Sequence, residues 1–377
     1  KIIAACPEER LNRDKLTRVF PTNAVNFCLK KANLHLDQID FIANSYNPSV
    51  HLKKFHPAYS NNRRFRGDYF YSIPDFLLNN DRQIKEDSDY SFQKIKLGNK
   101  ELNIYYITHH LCHAANGFYL SPFKKSAILT ADSVGEDDSA NFLIGEKNKL
   151  KLIKRLKIPH STGSFYSTFT EFFGYRPESD EWKVMALSAY GKKNNKFYKI
   201  IRKMVNLKSN GSFELDQSYF KQHIYNLPNF YTDEFVRILG KPREKNQNFT
   251  KRNYDVAAAM QQVFEEICCH MLKFLYNKTQ MKNLVLSGGS FMNSVFNGKA
   301  HKLSSFKNVW ISSCPDDSGL SIGAALYLYN NILQKKTRYE LKHNFLGPNY
   351  SSDKIKKVLI KYKVKFKYEK NITQITS

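Results

Sequence analysis

The stretch HHLCHAANGFY, residues 109–119, sets His109 and His113 four apart where a β-like run, LNIYYIT, gives way to a helical pattern. Residues i and i+4 share one face of a helix, so two imidazoles there can aim at a single ion. Two ligands do not complete a site, and two acidic turns offer the remainder. Asp132 sits in TADSVGEDDSA, where a strand ends in a glycine-containing turn. Asp317 sits in SCPDDSGLSIGAAL, where another strand passes through Pro315 to a helix start. A set of two histidines and two aspartates suits iron, manganese or zinc. Taken alone, the same histidines are equally well the polar start of an ordinary helix.

Three further segments have chemistry to offer. In NLVLSGGSFMNSVFNGK, residues 283–299, an apolar strand ends at Gly288 and Gly289 and a helix begins at once. Such a turn exposes backbone N–H groups to an anionic ligand, and Asn293 is placed to hydrogen-bond a ribose or base. Tight strand-to-helix packing accounts for the same glycines. In STGSFYSTFTEFFGYRPESDEWKVMALSAYG, residues 161–191, Glu181 and Lys183 follow a turn beside small residues, which suits a phosphate or carboxylate contact or a surface ion pair. In EERLNRDK, Arg10, Arg13 and Lys15 put three cations into one loop, enough to grip a phosphate or carbamoyl oxygen, or to form a solvated run. Nucleophile elbow, P-loop and Ser-His-Asp patterns are absent, so covalent catalysis is not expected.

The elements that must position these groups follow an α/β order. A chain of 377 residues suits two lobes of roughly 150 to 200 each. The first lobe, 1–125, reads as a strand over Lys1–Ala5, a helix over Asn23–Ala32, strands at IDFIAN and NIYYIT, and the helix from His109. The second, 126–345, reads as three successive strands, AILTADS, ANFLIGE and LKLIKRLKI, followed by a helix and a helical insertion at about 192–250. A long helix over Tyr254–Tyr276, then strand, helix, strand and helix complete it. The βββαβαβα order, with a remnant in the first lobe, predicts a duplicated α/β fold with its ligand in the interlobe cleft. After Leu346 a helix and an alternating strand, YKVKFKYEK, read as the start of a linker over 346–377. Both ends read as cut.

Composition bounds the partners. The 59 basic against 34 acidic side chains give a net charge of +25, which raises nucleic acid as a partner. Most lysines are scattered through amphipathic stretches, and only NNRRFRGDYFYS, residues 61–72, interleaves arginine with aromatics. Nucleic acid is therefore not the expected ligand. The six cysteines show no C-x-x-C pair, which fits a reducing cytoplasm. No run approaches the ~18 apolar residues of a membrane span.

Taken in order, EERLNRDK, HHLCHAA, ADSVGE, STGSFYS, EWKVMALSAYG, SGGSFMNS and PDDSGLSIGAAL resemble the O-carbamoyltransferases of the nodulation-factor, cephamycin and tobramycin pathways. The resemblance implies a duplicated actin-like ATPase (ASKHA) fold, similar to the protein of tRNA threonylcarbamoyladenosine synthesis, and a YrdC-like carbamoyl-activating domain beyond this chain. It implies a metal, usually iron, on His109, His113, Asp132 and Asp317, bound to the phosphate oxygens of ATP or a carbamoyl adenylate. Gly163, Lys183, Gly288, Gly289 and Asn293 would hold the nucleotide, and Lys15 would approach the transferring group. Carbamoyl phosphate and ATP would give the adenylate, and a hydroxyl of a small-molecule or glycan acceptor would attack it. The general base would precede Lys1. A tRNA-modifying protein and a non-catalytic nucleotide- or metal-binding protein are the competing readings.

Overall fold

The computed structural model describes residues 1–17, 19–51, 88–98, 100–221 and 229–369. The segment NNRRFRGDYFYS lies outside them. Two compact units emerge: Asp37–Lys342, and Lys1–Leu36 together with His343–Ser377.

In the larger unit, β1 (Phe41–Asn44), β2 (Tyr90–Leu97) and β3 (Lys100–Ile107) form a three-stranded sheet ordered β1-β3-β2, with β1 parallel and β2 antiparallel to β3. The β2–β3 hairpin turns through Gly98, whose φ of 63° favours glycine. A five-stranded sheet carries the site. It comprises β4 (Lys125–Ala131), β5 (Asp138–Glu146), β6 (Lys149–Lys157), β9 (Asn283–Ser287) and β10 (Asn308–Ile311), ordered β10-β9-β4-β5-β6. Strands β10, β9 and β4 are parallel, whereas β4, β5 and β6 form an antiparallel meander. The parallel strands end on the same edge, the edge at which α/β sheets bind ligands. Strand β4 is buried from Ser126 to Ala131, which is why SAILTA reads as a continuous run of apolar and small residues.

Helices cover this sheet. Lys251–Thr279 starts at a capping box, with Thr250 and Asn253 bonding each other's backbone N–H. Its face of Val256, Met260, Val263, Ile267, Met271 and Leu275 joins the apolar core with Phe165 and Phe169 of helix Thr162–Phe172. The histidine helix, His109–Tyr119, is buried along its whole length. It lies so close to β9 that a Cβ on Gly117 would meet Val285 Cγ1 at 2.7 Å. On another side helix Leu320–Tyr327 approaches equally closely, since a Cβ on Gly323 would fall 2.0 Å from the Cys112 carbonyl oxygen.

The elements differ from expectation in four places. The insertion is not wholly helical: β7 (Val205–Leu207) and β8 (Phe213–Leu215) form a hairpin between its helices, turned at Asn210-Gly211. Strand β2 forms where the sequence reading placed no element. Neither Lys1–Ala5 nor the described part of YKVKFKYEK forms a strand. Alternation alone does not make a strand, because the ladder needs a partner edge, and Ala5 instead donates a single backbone hydrogen bond to Leu346 at 3.2 Å. The smaller unit holds helix Thr22–Ala32, which Glu8 caps by accepting from Ala24 N–H at 2.8 Å and Asn23 Nδ2 at 2.6 Å. Glu9 accepts from Leu16 N–H at 2.9 Å, so the acids of EERLNRDK brace the loop bearing Lys15.

Candidate metal centre

His109 and His113 stand in the first two turns of a helix whose amino end is capped from outside. Thr108 provides no side-chain cap. Buried Glu136 does so instead, accepting the His109 N–H at 3.1 Å and the Asn47 N–H at 2.8 Å. Asn47, itself buried, accepts from the hydroxyls of Ser49 and Ser91 and donates to the Ser88 carbonyl. Burial pushes the Glu136 carboxyl up to about 7 against these hydrogen bonds.

The i, i+4 spacing brings the two Nε2 atoms within 3.0 Å of each other. Asp132, the first residue after β4, puts Oδ2 at 2.9 Å from His113 Nε2 and 3.6 Å from His109 Nε2. Asp317, beyond β10, puts Oδ1 at 3.5 Å from each. All four ligand atoms lie within 4.8 Å of one another. Bonds of about 2.0–2.2 Å to one central ion place neighbouring ligand atoms roughly 3 to 3.5 Å apart, so these residues fit a divalent first-row metal. Charge agrees with that. Burial alone would lower the basicity of His113, but hydrogen bonds to Asp132 and Asp317 outweigh it and push its pKa up to about 9. Burial would raise Asp132, but hydrogen bonds with both histidines hold it well below the usual carboxylate range.

Asp132 is oriented from every side. Its Oδ2 accepts the Gly289 N–H at 3.1 Å, its Oδ1 the Ser133 N–H at 2.6 Å, and its carbonyl the Ser161 hydroxyl at 2.7 Å. The glycines therefore work differently from a simple anion cradle. The Gly288 N–H is spent on the Pro315 carbonyl at 2.6 Å and the Gly289 N–H on Asp132. Gly288 has φ 102°, and a Cβ there would sit 2.2 Å from the Ala131 carbonyl oxygen, so β9 and β4 can end side by side only with glycine. Gly163 packs its bare Cα against Ser133.

The remaining expected residues lie as follows. Asn293 caps the short helix after the turn by accepting from Phe296 N–H at 2.9 Å, and exchanges two hydrogen bonds with Gln261. Lys183 pairs with Asp180 at 2.9 Å and lies over the rings of Tyr175 and Trp182, while Glu181 accepts from Ser167 and from Glu178 N–H. Lys15 belongs to the smaller unit, the four ligands to the larger. The third histidine, His110, is no ligand. Its Nε2 must donate to the Asp138 carbonyl at 3.1 Å, leaving Nδ1 to accept from Thr130 Oγ1 at 2.9 Å, and burial keeps the ring neutral.

The fold and the donor set thus define a mixed α/β protein with a candidate metal site at the carboxyl edge of its main sheet. Residues 1–326 match the family model described as carbamoyltransferase N-terminus, and the chain belongs to that family. An uncharacterized protein of Synechocystis sp. is 30% identical over 95% of this chain and 59% of its own length. The nodulation protein NolNO of Sinorhizobium fredii is 28% identical over 94% of this chain and 48% of its own. A crystal structure of full-length HypF in a phosphate- and nucleotide-bound form superposes with a TM-score of 0.40 at 17% identity, over 63% of this chain and 44% of that one. The chain spans about half the length of the curated relatives it matches.

Proposed function

We propose that this chain is the acceptor-side part of an O-carbamoyltransferase, joining a carbamoyl adenylate and an acceptor hydroxyl over a divalent metal on His109, His113, Asp132 and Asp317. The observation that supports it is the meeting of four ligand atoms within 4.8 Å in a chain of the carbamoyltransferase family. In the reaction, an acceptor hydroxyl oxygen bonds to the carbamoyl carbon, the carbon–oxygen bond to phosphate breaks, and AMP leaves with the electron pair. The hydroxyl proton goes to a base. A metal held there supplies positive charge to the phosphate oxygens as the leaving group forms.

The chain's own residues do the positioning. Gly163, Gly288 and Gly289 let the backbone around Ala131, Asp132 and Ser133 pack closely enough to set the Asp132 carboxylate, and the nucleotide is assigned to this turn. Lys183 is assigned to the nucleotide and Lys15 to the carbamoyl oxygen, whereas Asn293 shapes the turn through Gln261. In this reading lobes 1–125 and 126–345 are the halves of a duplicated actin-like fold, and a YrdC-like domain in the rest of the full protein makes the adenylate from carbamoyl phosphate and ATP. The acceptor is a small molecule or glycan.

The first test is metal content. About one metal per chain, lost in His109→Ala/His113→Ala, is expected, and no metal in either protein removes the site. Full-length protein loaded with metal should then release pyrophosphate on addition of carbamoyl phosphate and ATP, and AMP as an acceptor hydroxyl or water takes the carbamoyl group. No release ends the adenylate reading.

A further inference from the structure

Three of the four ligands stand on firmly held backbone. The two histidines are in a buried helix, and Asp132 is held by Gly289, Ser133 and Ser161. Asp317 is the exception: its side chain is 70% exposed, and it rides on the connection between β10 and helix Leu320–Tyr327.

That connection is fastened to the histidine helix by one buried amide. Asn116, 1% exposed, lies three residues past His113, so residues 109, 113 and 116 share a helix face. Its Nδ2 donates to the Cys314 carbonyl at 2.7 Å and to Ser312 Oγ at 3.1 Å. Because a carbonyl oxygen can only accept, Cys314 fixes which end of the amide faces the loop. The loop closes tightly over it, for a Cβ on Gly319 would lie 2.4 Å from Nδ2. The other tie, from Gly288 N–H to the Pro315 carbonyl, runs to the end of β9 and not to the histidines. Asn116 Oδ1 is buried with no hydrogen-bond partner. An unpaired buried acceptor is costly, so an amide here is explained by what its donor end holds.

We propose that Asn116 is a positioning residue that sets Asp317 over the two imidazoles, so that one helix face carries two ligands and fixes the place of a third. This rests on the reading of the four residues as a metal centre. Asn116→Ser removes the reach of the amide. Asn116→Asp keeps its shape but turns an oxygen onto the Cys314 carbonyl.

The experiment is a double-mutant cycle on the chain as it stands. Metal-free wild type, Asn116→Ser, Asp317→Ala and the double variant are titrated with zinc, and their cobalt(II) complexes are compared by visible absorption. Asn116→Ser should weaken zinc binding roughly ten- to hundredfold. In the Asp317→Ala background it should weaken it little further, because its route to the metal has gone. The cobalt spectrum of Asn116→Ser should move toward that of Asp317→Ala. Equal losses in both backgrounds, or no loss in either, overturn the proposal while leaving the metal centre intact. Failure of wild type to take up metal removes the centre itself. If Asn116→Ser does not fold, Asn116→Asp serves the same cycle, with metal-free melting temperatures reporting the fold.

Discussion

At the scale of single residues, His113 connects metal and proton. With a pKa of about 9 the imidazole is protonated at neutral pH while the ligands have only one another, and a ligating imidazole must be deprotonated. Metal binding at the proposed centre would therefore displace at least one proton, and apparent affinity should rise at least about tenfold per pH unit between pH 6 and 8. Competition titration across that range measures it, and a flat profile contradicts it. The same shift acts on the metal-free fold in the opposite sense. Because the folded-state value lies above the ordinary 6.5, this group's contribution to stability is full below 6.5 and is lost as the pH rises through about 9. The grouping of His109, His113, Asp132 and Asp317 was legible only in part: an i, i+4 pair and two acidic turns offered it, and the order of motifs chose it over an ordinary helix start. Asn116 and Glu136 were not legible. Asn116 follows three histidines in its helix and Glu136 lies in the turn between β4 and β5, so each reads as solvent-facing until burial shows that it must find a partner.

At the scale of elements, the centre depends on how closely two helices approach. Gly323 lets helix Leu320–Tyr327 lie against the Cys112 carbonyl, and Asp317 opens the single 3-10 turn that leads into that helix. Gly323→Ala would force Cβ into a backbone atom that cannot rotate away. It should cost about 2 kcal/mol or more of stability, read as a lower melting temperature of the metal-free chain. Gly298→Ala is the contrasting change. Gly298 has φ −63°, and its Cβ would meet nothing nearer than Ser294 O at 3.4 Å, so the stability should stay level or rise slightly. A melting temperature unchanged in Gly323→Ala would count against a close-packed pair. Helix His109–Tyr119 and strands β4 to β6 were readable, β4 as an unbroken apolar run of strand length. The β7–β8 hairpin was read as helical: its Asn-Gly turn was the available signal, but three-residue strands carry too little alternation to support it. YKVKFKYEK alternates and KIIAA is an apolar run, yet among the described residues neither pairs with a neighbouring edge.

At the scale of the whole molecule, sequence order said more than sequence pattern. Asp132 and Asp317 are 185 positions apart, and no local period states that they meet. The parallel ends of β4, β9 and β10 bring them together, and only the succession of motifs pointed to such a sheet. The positive charge, by contrast, identified no site.

The clamp at Asn47 has a consequence for where the chain tolerates a change of length. Asn47 bonds Ser88 and Ser91, so positions 41 and 44 apart in sequence are pinned together. Once two positions are pinned, the closure cost of the sequence between them grows only with the logarithm of its length. Replacing residues 52–87 by a short Gly-Ser linker, with Asn47 and Ser88–Ser91 retained, should leave metal uptake unchanged; loss of uptake would show that the replaced residues and the proposed centre act as one unit. The pin then serves as an anchor on the near side of that span, through which Glu136 keeps the start of the histidine helix in place whatever length of sequence is spliced beyond it.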